Sequence, residues 1–456
     1  MGPAPLKRSM RVIGVLLLTL SAVTPASSVF VGVPTVISQA GSGALISMLI
    51  GGLLVAPIAC VYAELSSAFP IAGGEYALVG RTLGPAAGFA ILGLTVALNM
   101  LSPAVLAVGV AATLVPILPG LDATWTGVAI VAISTVMGVL HIRTNAWVTG
   151  VFLLLELIAL AVLTWLGFEH IHRPLTDLLA HPVSLAPGGG LHRTSAAAIG
   201  LATSVAIFVY TGFGGAVYFA EELHEAPRLV VRAILWAGAI SLVTVFAPVA
   251  AVMLGAPDLN ALLAASNPFS DFLAAAGAPW LRTVIGVAVA LAIFNAILAA
   301  VLQNGRFFYS SGRDEAWHPR INAAFLVTHP RTNAPWMATL AGGFSSMLMC
   351  FIGLDRLLVL TGAGLAVTYA ALCVALVVGR RNGSTARTAW RTPLYPLVPA
   401  VGLLGSVYAL WAEWQDPDVG RYSLIATALF LAISIAYYGA VLRRRGVWVI
   451  RDPEEV

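Results

Sequence analysis

The chain has 456 residues, of which 59% are hydrophobic and only 10% are Asp, Glu, Lys or Arg. A soluble domain carries about 25% charged residues, so this composition excludes an ordinary water-soluble fold. The net charge of +4 comes without a basic patch interleaved with aromatic residues, which argues against nucleic-acid binding. Cys60, Cys350 and Cys373 lie singly in apolar stretches, so we expect neither a disulfide framework nor a cysteine metal site.

The apolar residues form runs that are long enough to cross a bilayer as helices. About 20 residues at 1.5 Å each span the hydrocarbon core of ~30 Å, and open sheets are excluded there because their edge groups would be unpaired. The alternation typical of a membrane barrel is missing. We therefore predict an all-α integral membrane protein with about twelve transmembrane helices. The predicted spans are residues 12–39, 43–68, 84–116, 123–141, 144–168, 195–222, 229–255, 279–310, 334–353, 355–379, 394–412 and 422–442.

The basic residues are distributed unequally between the two sides of these spans. With a cytoplasmic N-terminus, only Arg173, Arg193, Arg282, Arg356 and Arg421 lie outside, and the rest of the 24 basic residues lie in cytoplasmic segments. Such an excess is typical of cytoplasmic loops. We therefore predict a multi-pass protein of the inner or plasma membrane with both termini, residues 1–11 and 443–456, in the cytoplasm. The first apolar run is interpreted as a membrane span and not as a cleaved leader.

The longest external segment is the predicted loop 169–194, which is rich in histidine. The histidines are irregularly spaced and have no acidic or cysteine residues clustered with them, so we predict no metal site. The sequence contains no GxSxG, HExxH or Walker A motif, which argues against an enzyme and an ATP-driven pump. The repeated filter sequences of a channel are absent as well.

Two spans contain residues that interrupt a helix near its middle. The first span contains the small polar patch Thr24, Pro25, Ala26, Ser27 and Ser28. The sixth span contains Thr211, Gly212, Gly214 and Gly215. Proline removes a backbone hydrogen bond, and glycine weakens a helix. Both spans are therefore predicted to break.

A matched pair of broken helices, each opening a five-helix block, indicates a transporter with its binding site between two inverted repeats. The unwound turns leave backbone N–H and C=O groups for a polar substrate. Each restarting helix presents a positive dipole end that suits a carboxylate. We place the transport core at residues 12–379, with repeats at about 12–168 and 195–379, followed by two accessory helices within 394–442. The alternative is a pair of plain kinks at close helix contacts.

Four motifs resemble those of the amino acid–polyamine–organocation (APC) superfamily of permeases. Residues 41–76 resemble its second-span signature and end in a Phe-Pro-x-Ala-Gly-Gly-Glu-Tyr loop. The other three motifs are Glu221-Glu222 with Ala226-Pro227-Arg228, residues 305–319, and Thr332-Asn333-Ala334-Pro335. The resemblance covers residues 10–380. It implies a LeuT-type five-plus-five inverted repeat that moves a small amino acid or related zwitterion by alternating access, without a bound cofactor.

The sequence departs from the superfamily pattern at both breaks. The usual Gly-Ser-Gly of the first break aligns with Ala26-Ser27-Ser28, where a backbone approaches a substrate less closely than at glycine. Exchangers of arginine and polyamines tend to carry an acid in the span-6 break, where this chain has Gly214. A cationic substrate would lack its counter-charge there, so the resemblance favours a neutral substrate. An amino acid/amine exchanger and a non-transporting amino-acid sensor are the alternatives.

Glu156 takes the place of a lysine that many proton-coupled relatives carry in span 5. It lies near the middle of its span, where a lone carboxyl is energetically unfavourable and points to function. Burial favours the neutral form of a carboxyl. We therefore predict that Glu156 couples transport to H⁺. A structural glutamate and a Na⁺ ligand are the alternatives.

Further polar and aromatic residues are candidates for the site and its gates. By resemblance, an aromatic ring at Phe208 would cap the substrate, with Tyr210 beside it. Asn99 and Asn295 lie mid-span, where an amide either lines a site or bridges helices. The charged residues near the cytoplasmic ends are interpreted as solvated, with inner-gate ion pairs as the alternative; they are Glu64, Glu75, Glu221, Glu222, Arg81, Arg306 and Arg313. The predicted substrate site comprises Thr24, Pro25, Ala26, Ser27, Ser28, Asn99, Phe208, Tyr210, Thr211, Gly212 and Gly214.

Overall fold

Helices make up most of the computed structural model of the chain. The structure describes residues 10–114, 120–139, 142–186, 190–276, 279–330, 334–417, 420–446 and 448–451. Among these residues, nine helical stretches are long and apolar enough to cross a membrane. The prediction of a helical, multi-pass membrane protein is therefore confirmed. The predicted segments 1–9 and 452–456 and the motif residues Thr332 and Asn333 lie outside the described residues.

The N-terminal part of the chain runs from the first span to a short β-hairpin. Its helices are α1 (Val12–Val23), α2 (Pro25–Ser27), a π-helical turn (Ser28–Gly32), α3 (Val33–Ala40), a 3-10 turn (Gly41–Gly43), α4 (Ala44–Ala68), α5 (Glu75–Leu83), α6 (Pro85–Leu114), α7 (Ala123–Gly138), α8 (Ile142–Glu169) and α9 (Leu175–Ala180). The hairpin consists of the antiparallel strands β1 (Val183–Leu185) and β2 (Leu191–Arg193).

The C-terminal part begins with the second interrupted span. Its helices are α10 (Ala196–Val209), a 3-10 segment (Phe213–Glu222), α11 (Ala226–Gly255), α12 (Leu259–Ala264), α13 (Pro268–Ala276), α14 (Pro279–Arg313), α15 (Pro319–Phe325), α16 (Trp336–Met349), α17 (Leu354–Asn382), α18 (Leu397–Gln415), α19 (Gly420–Tyr437), a π-helical turn (Tyr438–Leu442) and α20 (Arg443–Arg445). A helix lies in each of the twelve predicted spans, although α7 and α16 have only 16 and 14 residues. The exact number of crossings and the inverted repeat stay predictions.

The two helix breaks lie where the sequence predicts them, and they touch each other. Helix α1 ends at Val23, and Thr24 adopts a left-handed conformation with φ 44° before Pro25 begins α2. Helix α10 ends at Val209, and Gly212 has φ 109°. A Cβ atom on Gly212 would lie 2.8 Å from the Cα of Val23. Only glycine permits both this backbone conformation and this contact.

Helices α8 and α11 pack together and meet through two glycines at one end. A Cβ atom on Gly167 would lie 2.4 Å from the carbonyl carbon of Ala251, and one on Gly255 would lie 2.2 Å from the carbonyl oxygen of Gly167. The two backbones are therefore in direct contact, with no side chain between them. Small residues allow such close approach between membrane helices.

The predicted external loop 169–194 folds against the end of the first span. The N–H of Val183 donates to Oγ of Ser42 at 2.9 Å, and Oγ1 of Thr194 donates to the carbonyl of Ala40 at 3.1 Å. A Cβ atom on Gly41 would lie 2.1 Å from the carbonyl oxygen of Val183, so the hairpin sits directly on this glycine. The loop thus holds the end of α3 in place.

Candidate functional site

A cavity of about 200 Å³ lies between the two helix breaks and is also lined by residues of α4, α5, α6, α14 and α17. This volume is below the ~300–1,000 Å³ of sites that enclose drug-sized ligands, so it suits a smaller solute. Eight of the residues predicted to bind substrate line this central cavity: Thr24, Ser27, Ser28, Asn99, Phe208, Thr211, Gly212 and Gly214. The breaks and the cavity therefore coincide, while the substrate-binding role of each residue stays a prediction.

Three predicted site residues do not line the cavity. Pro25 and Ala26 are buried in the turn that restarts the first span. Tyr210 is buried against α4, where its ring lies 3.7 Å from the position of a Cβ atom on Gly52. They border the breaks, but their side chains belong to the surrounding helix packing.

Asn295 acts as a bridge between helices. Its side chain is fully buried, and Nδ2 donates to Oγ of Ser21 at 2.9 Å and to the carbonyl of Thr149 at 3.1 Å. These bonds connect α14 to α1 and α8. Of the two alternatives for a mid-span amide, the structure therefore supports bridging for Asn295 and places Asn99 in the cavity lining.

Glu156 lies on α8 beside the break in the first span. Its Oε1 accepts a hydrogen bond from the N–H of Ala26 at 2.7 Å and a longer one from Oγ1 of Thr24 at 3.4 Å. The residue is completely buried, and Oε2 has no hydrogen-bond partner among the described residues. The N–H and the positive helix end favour a charged carboxylate, whereas burial disfavours it. Glu156 therefore links α8 directly to the broken span, while its role in proton coupling stays a prediction.

Besides Nδ2 of Asn99, two polar groups in the lining make no hydrogen bond within the described part of the chain. They are Oγ1 of Thr95 on α6 and Nε2 of Gln303 on α14. The Gln303 amide lies against the sixth span, 2.3 Å from the position of a Cβ atom on Gly215. Leaving buried polar groups unpaired is unfavourable, so both are available to a polar solute. Sequence analysis missed them, because a uniformly apolar helix gives no sign of which face turns inward.

The floor of the cavity contains a carboxyl group held by two phenols. Glu75, the first residue of α5, accepts hydrogen bonds from Oη of Tyr62 at 2.9 Å and from Oη of Tyr218 at 2.5 Å. The ring of Tyr62 packs edge-on against Phe213 and Tyr369, with centroids 5.8 and 5.9 Å apart. Glu75 is only 9% exposed. Its interpretation as a solvated charge was wrong, because α5 folds beneath the cavity and carries its first residue inside.

Phe208 borders a second cavity as well as the first. This cavity of about 270 Å³ lies between α3, α10, α17 and α18 and shares Phe208, Thr211 and Tyr369 with the central one. The ring of Phe208 therefore lies where the two volumes adjoin. The two cavities also share Val31, Gly32 and Leu365, and a gating role of Phe208 stays a prediction.

The charged residues after the sixth span form buried ion pairs with α14. Nε of Arg306 lies 2.6 Å from Oε1 of Glu222, and Nη1 of Arg313 lies 2.9 Å from Oε2 of Glu221. None of these four side chains is more than 5% exposed. Their interpretation as solvated charges was therefore wrong. The positions fall near span ends in the sequence, but the segment Phe213–Glu222 packs onto α14 and buries them.

Residues from both ends of the described chain contact this ion-paired region. The N–H of Met10 donates to the carbonyl of Glu222 at 3.0 Å, and the N–H of Arg451 donates to Oδ1 of Asp314 at 3.0 Å. The Arg451 side chain also forms an ion pair with Glu315. Met10 and Arg451 thus brace the region of the ion pairs.

The histidines of the predicted external loop 169–194 make bonds within the loop and to the carbonyl oxygen of Gly255 at the end of α11. Nδ1 of His172 lies 2.6 Å from the carbonyl oxygen of His170, and Nε2 of His192 lies 3.3 Å from Oγ of Ser184. Within the ranges that the structure describes, no group of three or more His, Cys, Asp or Glu residues is placed to hold a metal ion.

Broken helices that meet around a cavity inside a multi-pass helical protein define a membrane transport protein. The sequence matches the family model described as amino acid permease over residues 11–441, and the chain belongs to that family, within the APC superfamily. It is therefore an amino acid transporter with a small-molecule substrate, and it is not an enzyme.

Several known proteins are similar to this chain. An uncharacterized transporter of Mycobacterium tuberculosis is 26% identical over 341 residues, which cover 75% of this chain and 73% of the relative. The human large neutral amino acids transporter small subunit 2 is 27% identical over 340 residues, 71% of this chain and 60% of the relative. Cationic amino acid transporter 5 of Arabidopsis thaliana is 23% identical over 363 residues, 75% of this chain and 60% of the relative.

Proposed function

We propose that the chain is a proton-coupled secondary transporter of small neutral amino acids in the inner or plasma membrane, with both termini in the cytoplasm. One observation carries the proposal: the two helix breaks touch at Gly212 and Val23 and border a cavity of about 200 Å³. Interrupted helices that meet in this way bind zwitterions in transporters by their free backbone groups. Alternating access would then open the cavity to one side of the membrane at a time.

The break in the sixth span is the better placed of the two to receive a carboxylate. The first N–H groups of a helical segment have no partner within the segment, which applies here to Phe213 and Gly214. At the first break, the N–H of Ala26 is already bound by Glu156. A substrate carboxylate at the sixth span would meet free N–H groups and a positive helix end.

Two features support a neutral substrate. Gly214 places no acidic side chain in the sixth break, and aliphatic residues such as Leu98, Val105 and Leu365 make up much of the lining. A relative named for large neutral amino acids is consistent with this preference. The relative named for cationic amino acids makes basic amino acids and amines the alternatives to test.

The bond between Glu156 and Ala26 supports proton coupling. The charged carboxylate forms a charge-assisted hydrogen bond to the restarting helix, and such bonds are roughly twice as strong as neutral ones. Protonation weakens that bond and releases the segment that begins at Pro25. A proton taken up with the substrate would thereby change how firmly the first break is held.

Uptake into proteoliposomes tests the proposal. We expect a pH gradient, acidic outside, to drive accumulation of labelled alanine or leucine, and a protonophore to abolish it. Glu156→Gln should lose accumulation and the dependence of its uptake rate on pH. Glu169→Gln is the matched control, because Glu169 lies at the exposed end of the same helix.

Other outcomes of the same assay would overturn parts of the proposal. Accumulation driven only by a sodium gradient, or an unaltered pH profile with full coupling in Glu156→Gln, would exclude the proton role. Uptake that requires internal substrate would identify an exchanger. Binding of an amino acid without any uptake would identify a sensor.

A further inference from the structure

We propose that Glu75 pairs with an ammonium group of the substrate and excludes amino acids with a net negative charge. The inference rests on the proposed function, because it concerns the same central cavity. It assigns the substrate's positive group to a residue of α5, outside both broken helices.

Glu75 dominates the electrostatics of the cavity. Among the described residues that line it, Glu75 is the only one with an ionisable acidic or basic side chain other than phenols. No Lys, Arg or His of the described chain shares the lining. A cavity with one carboxylate and apolar walls attracts cations and repels anions, because opposite charges interact more strongly away from water.

The carboxylate has hydrogen-bonding capacity left for a ligand. A charged carboxylate has about four acceptor positions. Tyr62 occupies one on Oε1 and Tyr218 occupies one on Oε2. The remaining positions can accept N–H groups from an ammonium. The two phenols also fix the orientation of the carboxylate, because Tyr62 comes from α4 and Tyr218 from the segment Phe213–Glu222, and preorganised groups bind with less loss of entropy.

An ammonium would also relieve an unfavourable environment. Burial raises the pKa of the Glu75 carboxyl, while the hydrogen bonds from Tyr218 and Tyr62 lower it in part. The other titratable side chain near it, Tyr369 on α17, is a phenol and brings no positive charge. A positive group within hydrogen-bond distance stabilises the charged carboxylate. Ligand binding therefore supplies the counter-charge that the protein does not.

Glu75 and the sixth break line the same cavity, with the ring of Tyr62 between them. Cε1 of Tyr62 lies 2.7 Å from the position of a Cβ atom on Gly214, and Oη of the same ring donates to Glu75. One phenol ring therefore separates the break from the carboxylate. The sequence places no acid in the break itself, and the fold supplies one from α5.

The test is ligand binding to the purified full-length protein, followed by concentration-dependent thermal stabilisation. The ligands are L-alanine, L-lysine, L-glutamate and lactate, which resembles alanine without its ammonium. We expect the wild type to bind alanine and to bind glutamate and lactate at least ten times more weakly. Loss of a charge-assisted bond corresponds to about a tenfold or larger change in affinity. Glu75→Gln should therefore reduce the alanine-to-glutamate preference at least about tenfold.

The comparison of alanine with lysine shows which ammonium Glu75 contacts. Equal losses for both ligands in Glu75→Gln identify the α-ammonium, and a loss for lysine alone identifies the side-chain ammonium. Tyr218→Phe is the matched control, since it removes one hydrogen bond to Glu75 but keeps the charge, and it should keep the preference against glutamate. Glu75→Gln with wild-type affinities and wild-type exclusion of glutamate would show that Glu75 only braces the fold.

A second variant covers the case in which Glu75→Gln does not fold. Glu75→Asp keeps the negative charge on a shorter side chain, which moves the carboxylate away from the ligand. Alanine or lysine should therefore bind more weakly, while glutamate stays excluded. Unchanged affinities in Glu75→Asp would overturn the inference. A wild type that binds glutamate as tightly as alanine would overturn it and leave the transport proposal standing. A wild type that binds no amino acid would overturn both.

Discussion

The carboxylate of Glu156 lies 2.7 Å from the backbone nitrogen of Ala26, a residue 130 positions away in the sequence. A side chain from α8 therefore occupies the N–H group that a helix break would otherwise offer to an anion. Under the proposed function, protonation of Glu156 would weaken this hydrogen bond and loosen the first break.

The acceptor role of Glu156 can be separated from its charge by two substitutions. Glu156→Gln keeps an oxygen that can accept from the N–H of Ala26, so its stability should be close to that of the wild type. Glu156→Leu leaves that N–H unpaired, and the free energy of unfolding should fall by about 1–3 kcal/mol. Unfolding in detergent measures both. The control Leu155→Ala alters a 40% exposed neighbour on the same helix. Equal stability of the Gln and Leu variants would contradict the assignment.

The contact between the two breaks requires glycine at position 212. Gly212→Ala forces a Cβ atom into the backbone of Val23 and places alanine at φ 109°, which together should destabilise the fold by about 1–3 kcal/mol. Transport should fall at least about tenfold, because the two breaks must separate to admit the new atom. Gly439→Ala is the control, since nothing lies within 4 Å of its Cβ position. Wild-type uptake by Gly212→Ala would show that the breaks need not touch.

The buried pair of Arg306 and Glu222 should behave as a unit. Arg306→Met leaves the Glu222 carboxylate buried without its partner, which should cost about 3–5 kcal/mol of stability. Replacing both residues, as Arg306→Met with Glu222→Leu, should recover most of that loss, because no uncompensated charge is left. A double-mutant cycle on unfolding free energies measures the coupling. Additive losses would mean that the two side chains do not interact.

Asp314 should make stability depend on pH. Burial raises the pKa of its carboxyl from 3.8 to about 6 in the folded protein, against the opposing effect of nearby Arg313. The folded state thus binds this proton more tightly than the unfolded state. The resulting stabilisation is fully present below pH 3.8 and is lost as the pH rises through about 6.

The variant Asp314→Asn isolates this contribution. The asparagine does not titrate, so wild type should lose up to about 3 kcal/mol relative to the variant between pH 4 and pH 7. Unfolding of both proteins across that range provides the measurement. Parallel stability curves would assign the pH dependence to other groups.

The helices could be predicted from the sequence because the lipid constraint acts locally. A run of about 20 apolar residues has to be helical wherever it crosses, whatever it packs against. The breaks were also predictable, but proline alone was not the signal. Pro57, Pro103 and Pro248 all lie inside continuous helices. The break at Pro25 depends on Thr24 in a left-handed conformation just before it.

The polar chemistry of the site was only partly predictable. Glu156 stood out because it is a lone acid in an apolar run, whereas Glu75 follows a glycine-rich turn near a span end, where acids are usually solvated. Its burial depends on where α5 folds and on two tyrosines from distant helices. Thr95 and Gln303 became visible only when α6 and α14 were positioned around the cavity. Contacts of this kind depend on tertiary packing, which one sequence does not display.

The glycine contact between α8 and α11 would act as a pivot if α8 tilts relative to α11. The backbones touch at Gly167 and Gly255 with no side chain between them, so a tilt of α8 would turn about this end of the helix. Glu156 lies about three helical turns along α8 from this contact, ~16 Å from Gly167 at 1.5 Å per residue. A tilt of about 10° would swing its carboxylate by ~3 Å, more than enough to part it from Ala26. A small rotation of α8 would thus be enough to release the helical segment that begins at Pro25.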